Sequence, residues 1–421
     1  MAGPRGERLI ATLDVGSSKV AALIAMVGGE GAPRVIGVGQ RACQGVRRGL
    51  VADMEKTEQA IRAAMDQAER NADRQIEDVY VSLSAGGLDS DVASLEVGIA
   101  GHRIERIDID NLQVECRKGL DAGGRAILHA QPALYIIDGT TPVANPLGFH
   151  ANRLGMDVHL VTSDTPPIRN LDLCVRNAHL GVHTIVASPV ASGYACLAPE
   201  ERELGVALVE IGAGVTNVAV YAAGMLVGLS SIPMGGNDIT DDIASAFATK
   251  RMHAERMKTL YGSATTSPKD NHDMIEVLPI SDDDGVEPTK CTRTQLITVI
   301  RARLDMLFHE VGARMSEMGF KGAQGRQVVL TGGGAELKSI ADFAQGLLGR
   351  TVRVGRPRGL TGLPEAQQGS AFSTLAGLAL FAAAGAEDIM QVQVAQTTKG
   401  FSRDSAPGAF GRMMQLLRAN L

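Results

Sequence analysis

LDVGSSK, at residues 13–19, ends the apolar, β-branched run that starts near residue 8 and turns the chain tightly. Glycine in such a turn allows a positive φ and lets backbone N–H groups come close to a ligand. Successive N–H groups of this kind form a nest that binds anions. Two later segments repeat the plan, VEIGAGVTN at residues 209–217 and LTGGGAEL at residues 330–337. One such turn is weak evidence, whereas three in this order predict a nucleotide clamp.

Length and composition limit the classes of protein to consider. A chain of 421 residues is too long for one hydrophobic core, so two or more domains are expected. Hydrophobic residues at 45% and charged residues at 21% are typical of a soluble globular protein. A net charge of −6 gives no general attraction to nucleic acid or anionic lipid, and the absence of Trp argues against base-stacking surfaces. We therefore expect no nucleic-acid partner, and any membrane affinity has to be local.

The cysteines and apolar segments indicate a cytosolic chain. The five cysteines show neither CxxC nor zinc-site spacing, so reduced thiols are expected. The N-terminal apolar stretch is short and interrupted by Asp14, which argues against a secretory signal. The apolar block at residues 375–386 is shorter than the ~20 residues of a membrane span. We expect that block to form a buried core helix.

Hydrophobic spacing predicts two related α/β lobes with a cleft between them. Residues 84–162 interrupt this pattern with a Gly-rich, strand-rich texture, which suggests an inserted subdomain. Before the insert, the spacing predicts strand–turn–strand over 8–27, a helix over 49–72 and a strand over 79–83. Inside the insert it predicts a helix over 109–122. After the insert it predicts a helix over 170–180, a strand over 183–186, and a strand pair over 204–216 and 218–228. The last pair repeats the plan of residues 9–27. Residues 262–293, with the acidic run at 282–284, are predicted to be a solvated loop.

The C-terminal dozen residues have the pattern of an amphipathic helix. Its apolar face and arginine flank comprise Phe410, Met413, Met414, Leu417, Leu421, Arg412 and Arg418. No acidic side chain lies between Pro407 and the terminus, which is typical of a helix that lies in a membrane interface. A helix docked on the protein's own core or on a partner is the alternative. Residues 387–408, predicted to be a flexible linker, favour the membrane.

Several longer segments carry a resemblance to a known family. They are AQPALYIIDG at 130–139 and MDVHLV at 156–161 in the inserted region, IPMGGNDITDDI at 232–243, AERMK at 254–258 and YGSA at 261–264. These segments resemble FtsA, the family of actin-like membrane tethers in bacterial cell division. The resemblance runs from about residue 8 to 385 and resumes in the C-terminal helix, and the signatures of the inserted region are not shared with other actin-like proteins.

The resemblance implies an α/β fold, namely an actin-like (ribonuclease H-like) two-lobe ATPase fold with an inserted FtsA-type subdomain. The implied units are the lobe 1 core at 1–83, 163–197 and 362–386, the inserted subdomain at 84–162, the lobe 2 core at 198–228 and 301–361, the small subdomain of lobe 2 at 229–300, the linker at 387–408 and the membrane helix at 409–421.

The resemblance also implies ATP and Mg²⁺ as cofactors. The implied nucleotide-binding residues are Asp14, Gly16, Ser17, Ser18, Lys19, Gly212, Ala213, Gly214, Thr216, Gly235, Gly236, Glu255, Lys258, Gly332, Gly333 and Gly334. Asp14 is expected to face the Mg²⁺ through water, and Glu210 is the candidate catalytic residue beside the same water shell. The residues alone leave alternatives open. The first turn also fits a plain β-hairpin, the GGG turn a simple strand-to-helix connection, and Glu255 with Lys258 an ordinary surface ion pair.

The second turn departs from the family pattern, which usually reads D-x-G-G-G-T-T-D. This chain has Glu210, Ala213, Val215 and Asn217 at four of those positions. Backbone donors at 212–214 can still bind phosphate, but an in-line water and a rigid metal are harder to hold. We therefore expect ATP binding with slow or absent hydrolysis.

The resemblance implies a scaffold role at the cytoplasmic face of the inner membrane, at the division site. The implied partners are FtsZ, further copies of the chain in filaments, inner-membrane lipid, and later cell-division proteins through the inserted subdomain. Two alternatives share the fold, namely a pilus-assembly adaptor and a sugar or acetate kinase. A Walker A motif is excluded because the sequence contains no Gly-Lys dipeptide.

Overall fold

The computed structural model describes residues 7–28, 31–85, 87–143, 145–280, 287–321, 327–385 and 389. Its strands are β1 Arg8–Val15, β2 Lys19–Val27, β3 Arg34–Ala42, β4 Val46–Arg47, β5 Leu50–Val51, β6 Asp78–Leu83, β7 Asp89–Gly98, β8 Ala126–Ile137, β9 Thr141–Val143, β10 Arg153–Ser163, β11 Gly181–Ala187, β12 Val206–Ile211, β13 Thr216–Ala222, β14 Met225–Ile232, β15 Met274–Val277, β16 Thr289–Thr292, β17 Gln327–Thr331 and β18 Val352–Val354. Its α-helices are α1 Met54–Ala72, α2 Arg106–Gly119, α3 Thr165–Asn177, α4 Ser188–Cys196, α5 Pro199–Leu204, α6 Gly236–Ala246, α7 Arg251–Tyr261, α8 Arg293–Glu317, α9 Ile340–Leu348 and α10 Ser373–Ala384. Single 3₁₀ turns lie at Pro268–Asn271, Gly333–Glu336, Glu365–Gln367 and Ser370–Phe372.

Lobe 1 is built on a five-stranded sheet in the order β11-β6-β1-β2-β3. β1 and β2 form the predicted hairpin, with Val15 opposite Val20 at its tip. Helix α1 covers β3 because its apolar residues recur at helical spacing and bury one face. Gly39 permits this close packing, since a Cβ there would overlap the backbone of Ala64. The hairpin is thereby fixed with its turn at one edge of the lobe.

Lobe 2 and the inserted subdomain share one nine-stranded sheet in the order β18-β17-β12-β13-β14-β7-β10-β8-β9. The strands β12 and β13 are antiparallel and repeat the hairpin plan of lobe 1, and β12 runs parallel to β17. The junction between lobe and insert is narrow, because β14 and β7 pair only at Ser230 and Asp89. The Ser90 hydroxyl reinforces it by accepting a hydrogen bond from the Leu229 N–H at 2.7 Å.

The inserted subdomain has a small hydrophobic core of its own between α2 and the strands β7, β8 and β10. Ile389 belongs to this core and is only 1% exposed, although it comes from the far end of the chain. Ile389 lies inside the range predicted as a flexible linker at 387–408, so the linker prediction fails at this residue. The rest of that range and the predicted membrane helix lie outside the described residues.

Several predicted elements have different bounds in the structure. The helix predicted over 49–72 begins at Met54, because the positive φ at Arg48 and Gly49 turns the chain before it. The helix predicted over 170–180 begins at Thr165, since prolines are accepted in the first helical turn. The prediction over 218–228 covers two strands, β13 and β14, which Ala223 and Gly224 separate with positive φ values. The helix predicted over 109–122 is α2, one turn nearer the N-terminus.

The apolar block near the end of the described chain is α10, a core helix as expected. Leu375, Leu378 and Phe381 are buried there against lobe 1. None of the helices in the described ranges combines the length and the apolar character that crossing a bilayer requires. All five cysteines are buried free thiols.

Candidate functional site

The three glycine turns meet in one cavity of about 550 Å³ between the two lobes. The predicted residues that line this cavity are Asp14, Gly16, Ser17, Ser18, Lys19, Glu210, Gly212, Ala213, Gly214, Gly236, Glu255, Lys258, Gly332, Gly333 and Gly334. This volume lies within the range of about 300–1,000 Å³ typical of small-molecule sites. Segments almost 320 residues apart in the chain therefore form one concave surface.

Two predicted site residues, Thr216 and Gly235, do not line the cavity. The Thr216 hydroxyl donates a hydrogen bond to the Met234 carbonyl oxygen at 2.8 Å. A Cβ on Gly235 would stand 2.5 Å from the carbonyl oxygen of Gly212. Both residues therefore hold the second turn against the start of α6, one layer behind the cavity wall.

The first turn is a tight hairpin turn with its hydroxyl groups at the cleft. The Gly16 N–H donates to the Lys19 carbonyl oxygen at 3.0 Å, which closes the turn. The Ser17 hydroxyl accepts a hydrogen bond from the Gly49 N–H at 3.1 Å, whereas the Ser18 side chain is exposed. The turn thus presents backbone and hydroxyl groups to the cavity without a bulky side chain.

Asp14 and Lys19 place opposite charges at the base of this turn. Burial raises the pKa of Asp14, while the hydrogen bond from the Ser82 hydroxyl at 2.5 Å and the charge of Lys19 oppose the rise. Burial lowers the pKa of Lys19, against the charges of Asp14 and Glu336. The Lys19 ammonium also lies 3.3 Å from the centre of the Phe372 ring. Both groups are costly to keep charged without a further ionic partner.

Glu210 lies on the floor of the cavity at the end of β12 and is 5% exposed. Its carboxylate accepts hydrogen bonds from Ser188 at 2.6 Å, from the Asn217 amide at 2.9 Å and from the Thr374 hydroxyl. Burial raises the pKa of Glu210 and the charge of Asp14 adds to the rise, while these three donors oppose it. The proximity of the two carboxyl groups makes the floor a place where a cation is stabilised.

Asn217 is buried beside Glu210 and its amide links both lobes. The amide nitrogen donates to Ser84 at 2.9 Å and to Ser188 at 3.1 Å, and the amide oxygen accepts from Ser231 at 2.6 Å. Both polar atoms of the Asn217 amide are therefore hydrogen-bonded to protein groups.

The third turn packs directly on the second. Gly332 has φ +84°, a left-handed conformation that favours glycine. A Cβ on Gly334 would overlap the side chain of Ile211, the last residue of β12. Gly333 in contrast has room for a Cβ, which would meet the Ala371 side chain at 3.7 Å, and it lines the cavity. A 3₁₀ turn at Gly333–Glu336 follows Gly332, and α9 starts only at Ile340.

Glu255 and Lys258 lie on α7 and tie it to α6 at the cavity wall. The Lys258 ammonium donates to the Gly236 carbonyl oxygen at 2.9 Å and to Thr240 at 2.8 Å, and it pairs with Glu255 at 2.7 Å. Burial raises the pKa of Glu255, but the charge of Lys258 with its hydrogen bond and that of Thr240 outweigh it, so the net shift is downward. The pair is thus more than a surface ion pair, since it fixes the two helices.

The lining side chains balance in charge, with four basic and four acidic residues among those described. They are Lys19, Lys258, Arg293, Lys338, Asp14, Glu210, Glu255 and Glu336. A nucleoside triphosphate carries about four negative charges, so this set fits it best together with a divalent cation. No three His, Cys, Asp or Glu side chains of the described chain cluster as metal ligands. A Mg²⁺ here would depend on Asp14 or Glu210, on water and on phosphate oxygens.

Sequence reasoning missed several lining residues. They include Gly49, Ser84, Ser188, Asn237, Arg293, Lys338 and Thr374. Ser84 and Ser188 follow the strands β6 and β11 at the sheet edge that carries the turns, which is a signal that could have found them. Arg293 lies far from any glycine turn, and only the tertiary fold brings it to the cavity, whereas Lys338 directly follows the third turn.

Comparisons with known proteins agree with this architecture. The sequence profile described as "Cell division protein FtsA" matches residues 207–377. The profile described as "SHS2 domain inserted in FTSA" matches residues 86–162, which are the inserted subdomain.

Solved structures support the fold. A chain of the "PilM-PilN type IV pilus biogenesis complex" has a TM-score of 0.62 at 17% identity and covers 89% of this chain and 98% of its own length. MreB5 of Spiroplasma citri bound to ADP has a TM-score of 0.54 at 14% identity and covers 89% of this chain and 96% of its own. The predicted fold class, a two-lobe actin-like fold with an inserted subdomain, is confirmed.

Relatives of known family match most of the chain. The cell division protein FtsA of Agrobacterium fabrum is 36% identical over 383 residues, which are 89% of this chain and 86% of the relative. That of Pseudomonas aeruginosa is 30% identical over 407 residues, 97% of each chain. With this identity over nearly its whole length, the chain belongs to the FtsA family of cell division proteins.

Proposed function

We propose that this chain is an ATP-binding scaffold of cell division. The observation that carries the proposal is the convergence of three glycine turns from both lobes on one cavity. Backbone donors at 16–18 and 212–214 would bind the phosphates, and the turn at 332–334 would lie against the nucleoside. The ADP bound to the structurally similar MreB5 supports a nucleotide in this cleft.

Mg²⁺ would accompany the nucleotide and neutralise part of its phosphate charge. Asp14 is the residue to face its water shell, since it lines the cavity one residue before the end of β1. Ser82 orients the Asp14 carboxylate, and Lys19 supplies a point charge on the other side of the turn. These residues bind and orient the phosphates, which is the part of phosphoryl transfer that a protein mainly contributes.

Hydrolysis is proposed to be slow or absent. An attacking water needs an acceptor that holds it in line. Glu210 already accepts hydrogen bonds from Ser188, Thr374 and Asn217, and the Asn217 amide is bonded to protein groups throughout. Glu210 and Asn217 are the side chains best suited to accept a hydrogen bond from the attacking water. Both are already hydrogen-bonded to groups that join the two lobes.

Two measurements on purified protein test the site. Titration with ATP and Mg²⁺ by calorimetry is expected to give a single binding site per chain. The variant Gly214→Val, whose side chain would meet Arg48, is expected to weaken the binding of ATP. In single-turnover experiments, turnover above about 1 s⁻¹, the low end for kinases, would contradict slow hydrolysis.

The scaffold role concerns the membrane, FtsZ and further copies of the chain. The helix predicted at 409–421 would bind inner-membrane lipid at the cytoplasmic face, although it lies outside the described residues. One such helix binds weakly, so self-association into filaments would convert weak anchors into firm attachment by avidity. The family is named for cell division, which supports FtsZ and later division proteins as partners.

Liposome flotation tests the tether. Deletion of residues 410–421 is expected to leave a folded, nucleotide-binding protein that no longer floats with anionic liposomes. The matched variant Met413→Asp with Leu417→Asp keeps the length and should lose flotation as well, whereas Gln415→Ala on the other helix face should keep it. Flotation of the truncated chain would contradict the tether. Co-sedimentation with FtsZ on lipid, with ATP, ADP or no nucleotide, tests the partner and the nucleotide dependence of assembly.

A further inference from the structure

An ion pair joins the two lobes at the rim of the cavity. Arg48 follows the short strand β4 of lobe 1, and Asp238 lies in the first turn of α6 in lobe 2. The Arg48 guanidinium Nη2 is 2.9 Å from the Asp238 Oδ1. Neither residue lines the cavity, but their chain neighbours Gly49 and Asn237 do. The pair therefore lies directly outside the space proposed for the nucleotide.

Arg48 is held in place by both phosphate turns. Gly214 of the second turn faces the backbone of Arg48, since a Cβ on Gly214 would stand 3.0 Å from both its N and its Cα. The next residue, Gly49, donates its N–H to the Ser17 hydroxyl of the first turn. Arg48 has φ +48°, a left-handed conformation that costs energy in a non-glycine residue. Such a conformation persists only where the surrounding structure imposes it, and here the two turns impose it.

Asp238 is fixed on its own side as well. Its second carboxylate oxygen, Oδ2, accepts a hydrogen bond from the Gly235 N–H at 2.7 Å and caps α6. The first N–H groups of α6 are bonded to the second turn, from Gly236 to Gly212 at 2.9 Å and from Asn237 to Ala213 at 2.7 Å. Movement of Asp238 away from Arg48 thus requires α6 and the second turn to move together as the lobes open.

The two ends of the pair differ in exposure. The Arg48 side chain is 55% exposed and the Asp238 side chain 13%. Other links between the lobes lie on the cavity floor, such as the Asn217 amide to Ser84 and the Thr374 hydroxyl to Glu210. These floor contacts join the lobes inside the cleft, whereas the Arg48–Asp238 pair joins them outside the cavity lining.

We propose that Arg48 and Asp238 form a clasp whose opening limits the rate at which nucleotide enters and leaves the cavity. This inference rests on the proposed nucleotide site and adds the control of its kinetics. A clasp that stabilises the closed cleft equally with and without ligand slows association and dissociation by the same factor and leaves the affinity unchanged.

Stopped-flow fluorescence with Mg²⁺ and an N-methylanthraniloyl-ATP probe tests the clasp in the full chain. The variants are Arg48→Gln, Asp238→Asn and both together; the asparagine oxygen can still accept from Gly235 and cap α6. Each single variant is expected to raise both rate constants about twofold to fivefold, the range for a half-exposed ion pair. The double variant should be no faster than either single variant, because both remove the same interaction. Raising the salt concentration should speed release from the native chain by a larger factor than from the variants, in which the salt dependence of the phosphate contacts remains but that of the ion pair is lost.

Arg106→Gln is the matched control, since Arg106 forms an exposed ion pair with Asp110 within one helix of the inserted subdomain. It should leave both rates unchanged. Unchanged rate constants in the Arg48 and Asp238 variants would overturn the clasp. A loss of affinity without faster association would overturn it as well, because that result would make Arg48 a phosphate ligand. If the native chain binds no nucleotide at all, the proposed function fails and not the clasp alone.

Discussion

Gly333 and Gly334 are neighbours in the third turn, but only Gly333 has room for a side chain. A Cβ on Gly334 would overlap Ile211, whereas a Cβ on Gly333 would meet nothing closer than Ala371 at 3.7 Å. We expect Gly334→Ala to lower the free energy of unfolding by about 1–3 kcal/mol through overpacking. Gly333→Ala should change it by less than about 0.5 kcal/mol but weaken ATP binding, because the methyl stands where backbone approaches the ligand.

Chemical denaturation and nucleotide titration of the two variants check this prediction. Equal effects of both variants on stability would show that the third turn is not packed on β12 as described. An unchanged ATP affinity in Gly333→Ala would place the nucleotide elsewhere in the cavity.

The buried carboxyl group of Asp14 is expected to lower the stability of the ligand-free fold while it supports the binding of ATP with Mg²⁺. Burial raises its pKa above the ordinary 3.8, more than the Ser82 hydrogen bond and the Lys19 charge lower it. The folded state then binds a proton more readily than the unfolded state, so stability falls as pH rises from about 3.8 through the raised pKa. Burial of the Asp14 carboxyl group therefore destabilises the ligand-free fold at pH values above the ordinary 3.8. Asp14→Asn should raise the melting temperature without nucleotide and weaken binding of ATP with Mg²⁺.

Thermal unfolding at pH 7 and at pH 5, with and without Mg²⁺-ATP, measures both effects. In Asp14→Asn the amide oxygen can still accept the hydrogen bond from the Ser82 hydroxyl, so the comparison tests the charge and not this hydrogen bond. A ligand-free variant that melts below the native chain at pH 7 would contradict the direction of the pKa shift. The glutamate Glu69, which lies outside the cavity, gives a control in Glu69→Gln.

At the same scale, the sequence predicted about half of the residues that line the cavity, mainly those in the three turns with recognisable glycines. It could not predict Arg293, whose position depends on how lobe 2 folds back on itself. Thr216 and Gly235 were predicted to bind nucleotide from the family pattern, and the structure has them supporting the second turn. The pattern of a motif does not distinguish residues that touch a ligand from residues one layer behind.

At the scale of elements, Ile389 connects the C-terminal end of the described chain to the inserted subdomain. Its side chain is 1% exposed in the core that includes Leu112 of α2 and Val158 of β10. We expect Ile389→Asp to raise amide hydrogen exchange in α2 and to lower the stability of the insert by about 2–4 kcal/mol, since a buried charge replaces apolar contacts. Ile280→Asp is the control, because Ile280 is 60% exposed.

Hydrogen exchange with mass spectrometry resolves the two variants by segment. Protection of α2 that stays native in Ile389→Asp would show that the insert does not depend on this contact. Exchange that increases equally in lobe 1 would indicate global destabilisation instead of a local one.

Hydrophobic spacing gave the type of several elements, whereas it did not give their ends. The region predicted as a solvated loop at 262–293 contains the strands β15 and β16. The prolines at the start of α3 extend that helix toward the N-terminus, and the Ala223-Gly224 turn divides a run that looked like one strand. The burial of Ile389 had no signal in the sequence, because a single isoleucine in a polar segment predicts nothing about what it packs against. Local sequence patterns therefore do not predict burial that depends on a tertiary contact, such as that of Ile389.

At the scale of the whole molecule, the repeated strand–turn–strand pattern alone predicted two lobes with similar hairpins. The same repeat predicted the cleft between the lobes. The sequence could not predict that the insert continues the sheet of lobe 2 through a single paired residue at Ser230. That junction is short because only the end of β7 reaches β14. The insert is consequently joined to lobe 2 by few hydrogen bonds, while lobe 1 and lobe 2 meet over the cavity floor.

A ligand held by both lobes should stabilise both. The cavity wall takes Asp14 and Gly16 from lobe 1 and Gly212 and Gly333 from lobe 2, so ATP with Mg²⁺ would bind neither lobe once they separate. At a free concentration of 100 times Kd the ligand adds about 2.7 kcal/mol to the free energy of unfolding. Differential scanning calorimetry should show the transitions of both lobes moving upward together, and the inserted subdomain moving less if it unfolds separately. A shift confined to one transition would mean that a single lobe holds the nucleotide, because a ligand can stabilise only the unit whose unfolding destroys its site.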